Sequence, residues 1–173
     1  MRIVLAARDL TLAAAWRRSC ADLPGVTVHT GFPLQRRIAE RHHGELLVGA
    51  AEIVETGDPA TPWLIAAPTM RVPMILGRRT VNCYLATRAV LLLLRHGLQP
   101  DGPEAGRPVR ECVGTVAFPG MGTGVGQVPA GICARQMRQA ILDVLGGSTP
   151  PDSWADASER HQRLCTDRIR RLQ

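Results

Sequence analysis

The chain has 173 residues, a length that suits one domain, and 45% of them are hydrophobic, enough to bury a core. No apolar run approaches the roughly twenty residues of a membrane span, and Met1-Arg2-Ile3-Val4-Leu5 passes into a strand pattern rather than a secretory leader, so a cytoplasmic protein with no membrane partner is expected. The net charge of +6 rests on arginine alone because lysine is absent, which excludes Schiff-base chemistry and a phosphate-loop lysine and favours anionic partners.

Met1 to Ala7 reads as a short apolar strand, and Asp9 is placed to cap a helix from Leu10 to Leu23 that Pro24-Gly25 ends. Val26-Thr27-Val28-His29-Thr30 alternates and is β-branched, the pattern of a second strand. Beyond Gly31-Phe32-Pro33, the segment Leu34 to His43 is a short basic helix with Gly44 as its C-cap. His42 and His43 are neighbours, point in different directions on a helix, and read as surface residues rather than a metal pair. Leu46 to Thr56 is expected to be extended, Gly57-Asp58-Pro59 to turn, and Trp63 to Ala67 to form a strand. Pro68 to Pro73 is the loop at that strand's C-terminal end, and Met74 to Arg79 is irregular.

Thr80 is the expected cap of a strong helix, Val81 to His96, which Gly97 stops. Val81, Leu85, Ala89 and Leu92 recur at helical spacing and predict its inward face. Gln99 to Pro108 is rich in proline and glycine and reads as a surface loop. Val113-Gly114-Thr115-Val116-Ala117-Phe118 is expected to be a buried strand that runs into Pro119 to Gly126. Past Gln127-Val128-Pro129, a helix from Ala130 to Leu145 ends at Gly146-Gly147. Ser148 to Asp152 is a linker, and Ser153 with Asp156 fits a capping box for a last, basic helix from Trp154 to about Leu172. Trp154, Leu164, Ile169 and Leu172 are the residues expected to pack that helix.

Alternating strands and helices predict an α/β fold, a mixed and largely parallel sheet with helices on its faces. The expected division is an α/β domain over 1–147 followed by a linker and basic helix over 148–173. In such sheets ligands sit outside the carboxyl ends of the strands, and the loops Pro68–Pro73 and Pro119–Gly126 lie there.

The second of these loops carries the chemistry. Glycines at 120, 122, 124 and 126 let a ligand touch the backbone, and a helix N-terminus follows. Free N–H groups and the positive end of the helix dipole make a natural anion site, so the loop is expected to hold a phosphate or diphosphate. The spacing G-x-G-x-G-x-G is neither a dinucleotide fingerprint nor a Walker A loop. A tight turn that uses glycine for shape alone is the competing reading.

Cys20, Cys83, Cys112, Cys133 and Cys165 are widely spaced, with no C-x-x-C pair, so reduced thiols are expected and neither a zinc site nor a cofactor is read. Cys133, near a helix start, reads as a core-facing residue rather than a nucleophile. Few aromatics are available to stack on bases, which disfavours single-stranded nucleic acid as a partner.

Three stretches together resemble the macrodomain family, in a bacterial and phage-type branch: Ala66-Ala67-Pro68-Thr69-Met70-Arg71-Val72-Pro73, Thr80 to Ala89, and Phe118 to Gly126 with Ala134-Arg135-Gln136-Met137 after it. The resemblance covers about residues 44 to 147 and implies a three-layer α/β/α sheet that binds ADP-ribose or an ADP-ribosylated partner. It implies that Phe118 and Pro119 lead into the second phosphate-binding loop. The backbone N–H groups of Gly122, Thr123, Gly124, Val125 and Gly126 would then hold the diphosphate and face the distal ribose, with Gly120 and Met121 counted among the ligand-binding residues before them. Where the family carries Gly-Asp-Ile, Gly31 is followed here by Phe32, and the stretch from Thr30 to Leu46 is too short for the family's next strand and first Gly-rich loop. A missing strand is therefore expected, with ligand binding resting on one loop. Two other functions fit the same resemblance: hydrolysis of ADP-ribose conjugates or of ADP-ribose 1''-phosphate, for which no catalytic residue is assigned, and a scaffold that has lost its ligand and works through its basic last helix.

Overall fold

The computed structural model describes residues 3–7, 26–30 and 32–166. The expected helix Leu10–Leu23 with its cap Asp9, the Gly31 break, and Ile169 and Leu172 lie outside the described residues, while the last helix, expected to reach about Leu172, ends at Cys165, where Thr166 is extended. The fold is mixed α/β, and two compact units divide it: residues 1–45 with 53–64, and residues 46–52 with 65–173.

In the first unit, β1 (Ile3–Ala7) and β2 (Val26–Thr30) pair in parallel, with Ile3 opposite Val26 and Ala7 opposite Thr30. Helix α1 (Phe32–Arg41) follows. It ends as expected, with Gly44 at φ +89° and its N–H donating back to Ile38 O at 3.1 Å, a conformation that favours glycine. His43 is exposed and His42 half-buried.

Strands β3 (Glu52–Glu55) and β4 (Trp63–Ala66) form the second two-stranded sheet, and the chain passes between the units within this hairpin. Seven residues join them, too few for a parallel crossover, so the pair is antiparallel. The turn forms because Asp58 accepts from Ala60 N at 2.9 Å and from Thr61 Oγ1 at 2.9 Å, while Thr56 N donates to Pro62 O. Of the expected extended segment Leu46–Thr56, only Glu52–Glu55 is strand. Gly49, at φ +94°, turns the chain before it, with Ala50 N bonded to Leu47 O.

The second unit is built on two long helices, α2 (Asn82–His96) and α4 (Ala130–Leu145), packed against each other. Between them lie the single turn α3 (Val109–Cys112) and the Gly-rich loop. Helix α5 (Trp154–Cys165) packs on α4 within the same unit. The buried face of α2 is only partly the one the spacing predicts. Ala89 is buried as expected, but Val81, Leu85 and Leu92 are only half-buried, and Cys83, Ala86, Thr87, Val90 and Leu91 are buried instead. Of these, Cys83, Ala86, Thr87 and Val90 have the i, i+3, i+4, i+7 phase, and their small side chains suit packing against α4.

Val113–Phe118 corrects the sequence reading. It forms no strand, with a bend at Gly114, and Gly114, Thr115, Val116 and Ala117 are exposed. β-Propensity needs a neighbouring strand to act on, and none of the described strands lies alongside. Only Phe118 turns inward, packing on Leu91, Ala140 and Val144 between the helices. In α5 the Ser153 cap forms, its Oγ accepting from Asp156 N at 3.1 Å, and Leu164 is buried. Trp154 does not pack: it is 91% exposed.

Candidate functional site

The Gly-rich loop lies across the first turns of both long helices. Cys83 is the second residue of α2 and Cys133 the fourth of α4. Both thiols donate to the Met121 carbonyl, at 2.8 and 3.2 Å, and both are buried with Met121 and Val128 in one apolar cluster. Burial, then the adjacent Cys133, pushes the Cys83 thiol up from 9.0 to about 12, so it stays protonated. Both thiols lack the exposure of a nucleophile, and Cys133 is the core-facing residue its sequence position suggests.

The two helix N-termini therefore converge beneath one loop. Neither helix has an acidic residue in its first turn to offset its positive end. The cap of α2 is shifted by one residue from the expected start: Thr80 Oγ1 accepts from Asn82 N at 3.2 Å, and Val81 makes no side-chain cap. Helix α4 starts after Pro129 as expected.

The loop's own hydrogen bonds divide it. Thr123 N and Thr123 Oγ1 both donate to Gly120 O, at 3.2 and 2.8 Å, Val128 N to Gly122 O at 3.1 Å and Gln127 N to Gly124 O at 3.0 Å. The Thr123 amide, expected to meet the ligand, is thus engaged within the loop. The N–H groups of Gly122, Gly124, Val125 and Gly126 donate no hydrogen bond among the described residues.

The glycines divide in the same way. Gly122 has φ +74°, and a Cβ at Gly126 would sit 2.6 Å from Gly122 O, so the fold requires both. At Gly124 the backbone is not left-handed and a Cβ would meet nothing within 4 Å. The fold places no steric demand for glycine there, in an exposed stretch, Thr123 to Val125.

Of the residues read from the sequence as ligand-binding, Pro119, Gly120, Thr123, Gly124 and Val125 are exposed on one loop and Gly122 is half-buried beside them. Phe118, Met121 and Gly126 face inward: Phe118 and Met121 belong to apolar clusters, and Gly126 is covered. The side chains of Phe118 and Met121 serve the core.

The Pro68–Pro73 loop and the irregular Met74–Arg79 that follows run beside this loop. Leu76 N donates to Gly126 O at 3.0 Å, Leu76 packs on the cluster around Met121, and Asn82 Nδ2 fixes Thr69 O at 2.8 Å. Gln136, fully buried on α4, ties the surroundings together. Its Nε2 donates to Thr80 O at 2.7 Å and to Leu164 O at 3.3 Å, and its Oε1 accepts from Tyr84 N at 3.2 Å. Farther along α2, burial and then the bond from its hydroxyl to Asp143 Oδ2 raise the pKa of Tyr84.

One signal passed over in the motif reading was present in the residues. From Pro59 to Pro100 and from Cys112 to Leu142 there is no aspartate or glutamate, whereas Arg71, Arg78, Arg79 and Arg135 fall in these stretches. Both segments that frame the loop are thus free of carboxylates, and the net charge of +6 is concentrated there rather than spread evenly. The comparisons with known proteins add one relative. Over 111 residues the chain is 33% identical to an uncharacterized protein of Aquifex aeolicus (strain VF5). The match takes in 64% of this chain and 57% of that protein, so the chain spans a little over half that relative's length. No family model and no solved structure matches the chain. Among the described residues no cluster of histidine, cysteine, aspartate and glutamate could hold a metal, and no helix is long and apolar enough to cross a membrane.

Proposed function

We propose that the chain binds the diphosphate of ADP-ribose, free or attached to a protein, on the Gly122–Gly126 loop, as the macrodomains it resembles do. The observation that carries this reading is the meeting of two uncompensated helix N-termini beneath open loop amides. Gly124, which nothing in the fold requires to be glycine, is the point where a ligand reaches the backbone. A macrodomain-like three-layer arrangement belongs to the same proposal. Binding is favoured over hydrolysis because attack on a glycosidic or ester bond needs a placed acid or base. The two segments framing the loop supply no carboxylate.

Titration calorimetry with ADP-ribose tests the reading, on the native chain and on Gly124→Glu. Since position 124 is open, the variant should fold normally while its carboxylate repels the diphosphate. Saturable heat with the native chain, abolished in Gly124→Glu, is the expected result. No heat at millimolar ADP-ribose, or an unaffected variant, would overturn it.

A further inference from the structure

We infer that the diphosphate ligand reaches this loop attached to an acidic protein segment, and that the ridge from Val72 to Arg79 grips that carrier; the inference rests on the binding function proposed above. The ridge is held against the site at its base. Leu76 donates to Gly126 O at 3.0 Å and lodges in the cluster around Met121, while Asn82 fixes Thr69 O at 2.8 Å. Its outer face is open and apolar in an unusual measure. Val72 is 58%, Met74 51% and Ile75 64% exposed, and Val125, across the Leu76–Gly126 bond, is 61% exposed. A free nucleotide seated on the loop amides leaves these aliphatic side chains facing water, and contiguous exposed apolar groups beside a binding site mark a surface for a larger partner.

The charge beside this patch fixes the partner's chemistry. Arg78 and Arg79 are exposed, follow Leu76 by two and three residues, and make no ion pair among the described residues. Elsewhere in the second unit Arg107 pairs with Glu104, Arg160 with Asp156 and Arg163 with Glu159, whereas Arg88 and Arg138, like Arg78 and Arg79, are exposed with no ion pair among the described residues. With no carboxylate from Pro59 to Pro100, the ridge has nothing of its own to neutralise Arg78 and Arg79. A peptide with acidic and aliphatic side chains complements both features. Nucleic acid would call for aromatic platforms, and the exposed side chains here are Val, Met and Ile.

The test compares free ADP-ribose with an ADP-ribosylated peptide of acidic and aliphatic sequence, each titrated into the native chain and into Arg78→Glu/Arg79→Glu and Ile75→Ser. All three residues are exposed, so the variants should fold as the native chain does. The peptide conjugate is expected to bind about tenfold tighter than free ADP-ribose, through charge pairing that the double reversal removes. Free ADP-ribose should keep its affinity in Ile75→Ser. Equal affinity for the two ligands in the native chain overturns the inference and leaves the loop function standing. So does a preference that survives the variants, or tighter binding of an ADP-ribosylated oligonucleotide than of the peptide. Failure of both ligands to bind overturns the loop function itself.

Discussion

The second unit has two Gly-rich loops with opposite designs. The loop from Gly97 to Val109 closes on itself: Gln99 N donates to Arg107 O, Gly106 N to Gln99 O, and Val109 N to Gly97 O. It carries its own acids, Asp101 and Glu104, and buries the Gln99 side chain to 2% exposure. The loop from Gly120 to Val128 engages part of its backbone and leaves the N–H groups of Gly124 and Val125, both exposed, without a hydrogen bond among the described residues, above two helix N-termini and in a stretch without carboxylates. Glycine content alone does not separate the two. What separates them is how many amides are already bonded and which charges lie nearby in sequence, and this is the contrast on which the proposed anion site rests.

The largest expected effect comes from closing the second loop's tightest contact. Gly126→Val drives a Cβ against Gly122 O and should destabilise the chain by about 3 kcal/mol or more in urea unfolding. Gly106→Ala in the first loop meets open space and bears only the left-handed penalty, about 1 kcal/mol. Equal losses would erase the distinction. Next in size is Gln136→Leu, which strips the partners from Thr80 O, Leu164 O and Tyr84 N. A loss of about 2–3 kcal/mol is expected, and a neutral variant would show that α2, α4 and α5 are not held together by this side chain.

A pH effect sharpens the contrast further. The Cys83 thiol ionises at 9.0 in the unfolded chain and near 12 in the folded one. The folded state therefore holds the proton longer. Its stability contribution is complete below pH 9 and is lost as pH rises toward 12, by up to ~1.4 kcal/mol per pH unit. Cys83→Ala should flatten that decline; an unchanged slope would place the titration elsewhere. The smallest expected effect is on stability in Gly124→Ala, within about 0.5 kcal/mol of the native chain. ADP-ribose affinity should fall in the same variant. Loss of stability without loss of binding would reverse the roles assigned to the glycines.

Much of the second unit was legible in the residues. Pro129 and Gly146 bracket α4 where the sequence places its ends, Gly97 stops α2, and Ser153 caps α5. These signals are local, and local chemistry decides them. Long-range features were misread. Val113–Phe118 has strand-like composition, yet strand formation depends on a neighbour far away in sequence. On α2 the helical spacing finds buried Ala89 but not the rest of the face, because helix packing buries Cys83, Ala86, Thr87 and Val90 while Leu85 and Leu92 stay half-buried. Trp154, large and apolar, was expected to pack and does not. Within the loop the sequence shows only alternating glycines, and three-dimensional contacts are what show that Gly122 and Gly126 serve the fold while Gly124 does not.

The two thiols that meet at Met121 O have a consequence on the far side of the same bond. No peptide of the described chain is cis, so the carbonyl of Met121 and the N–H of Gly122 project in opposite directions from one rigid plane. Anchoring the oxygen in the core aims that hydrogen outward, and two donors on the oxygen polarise the amide and strengthen it as a donor. The buried sulfurs thus fix the plane of one peptide and, through it, the direction of a single backbone hydrogen.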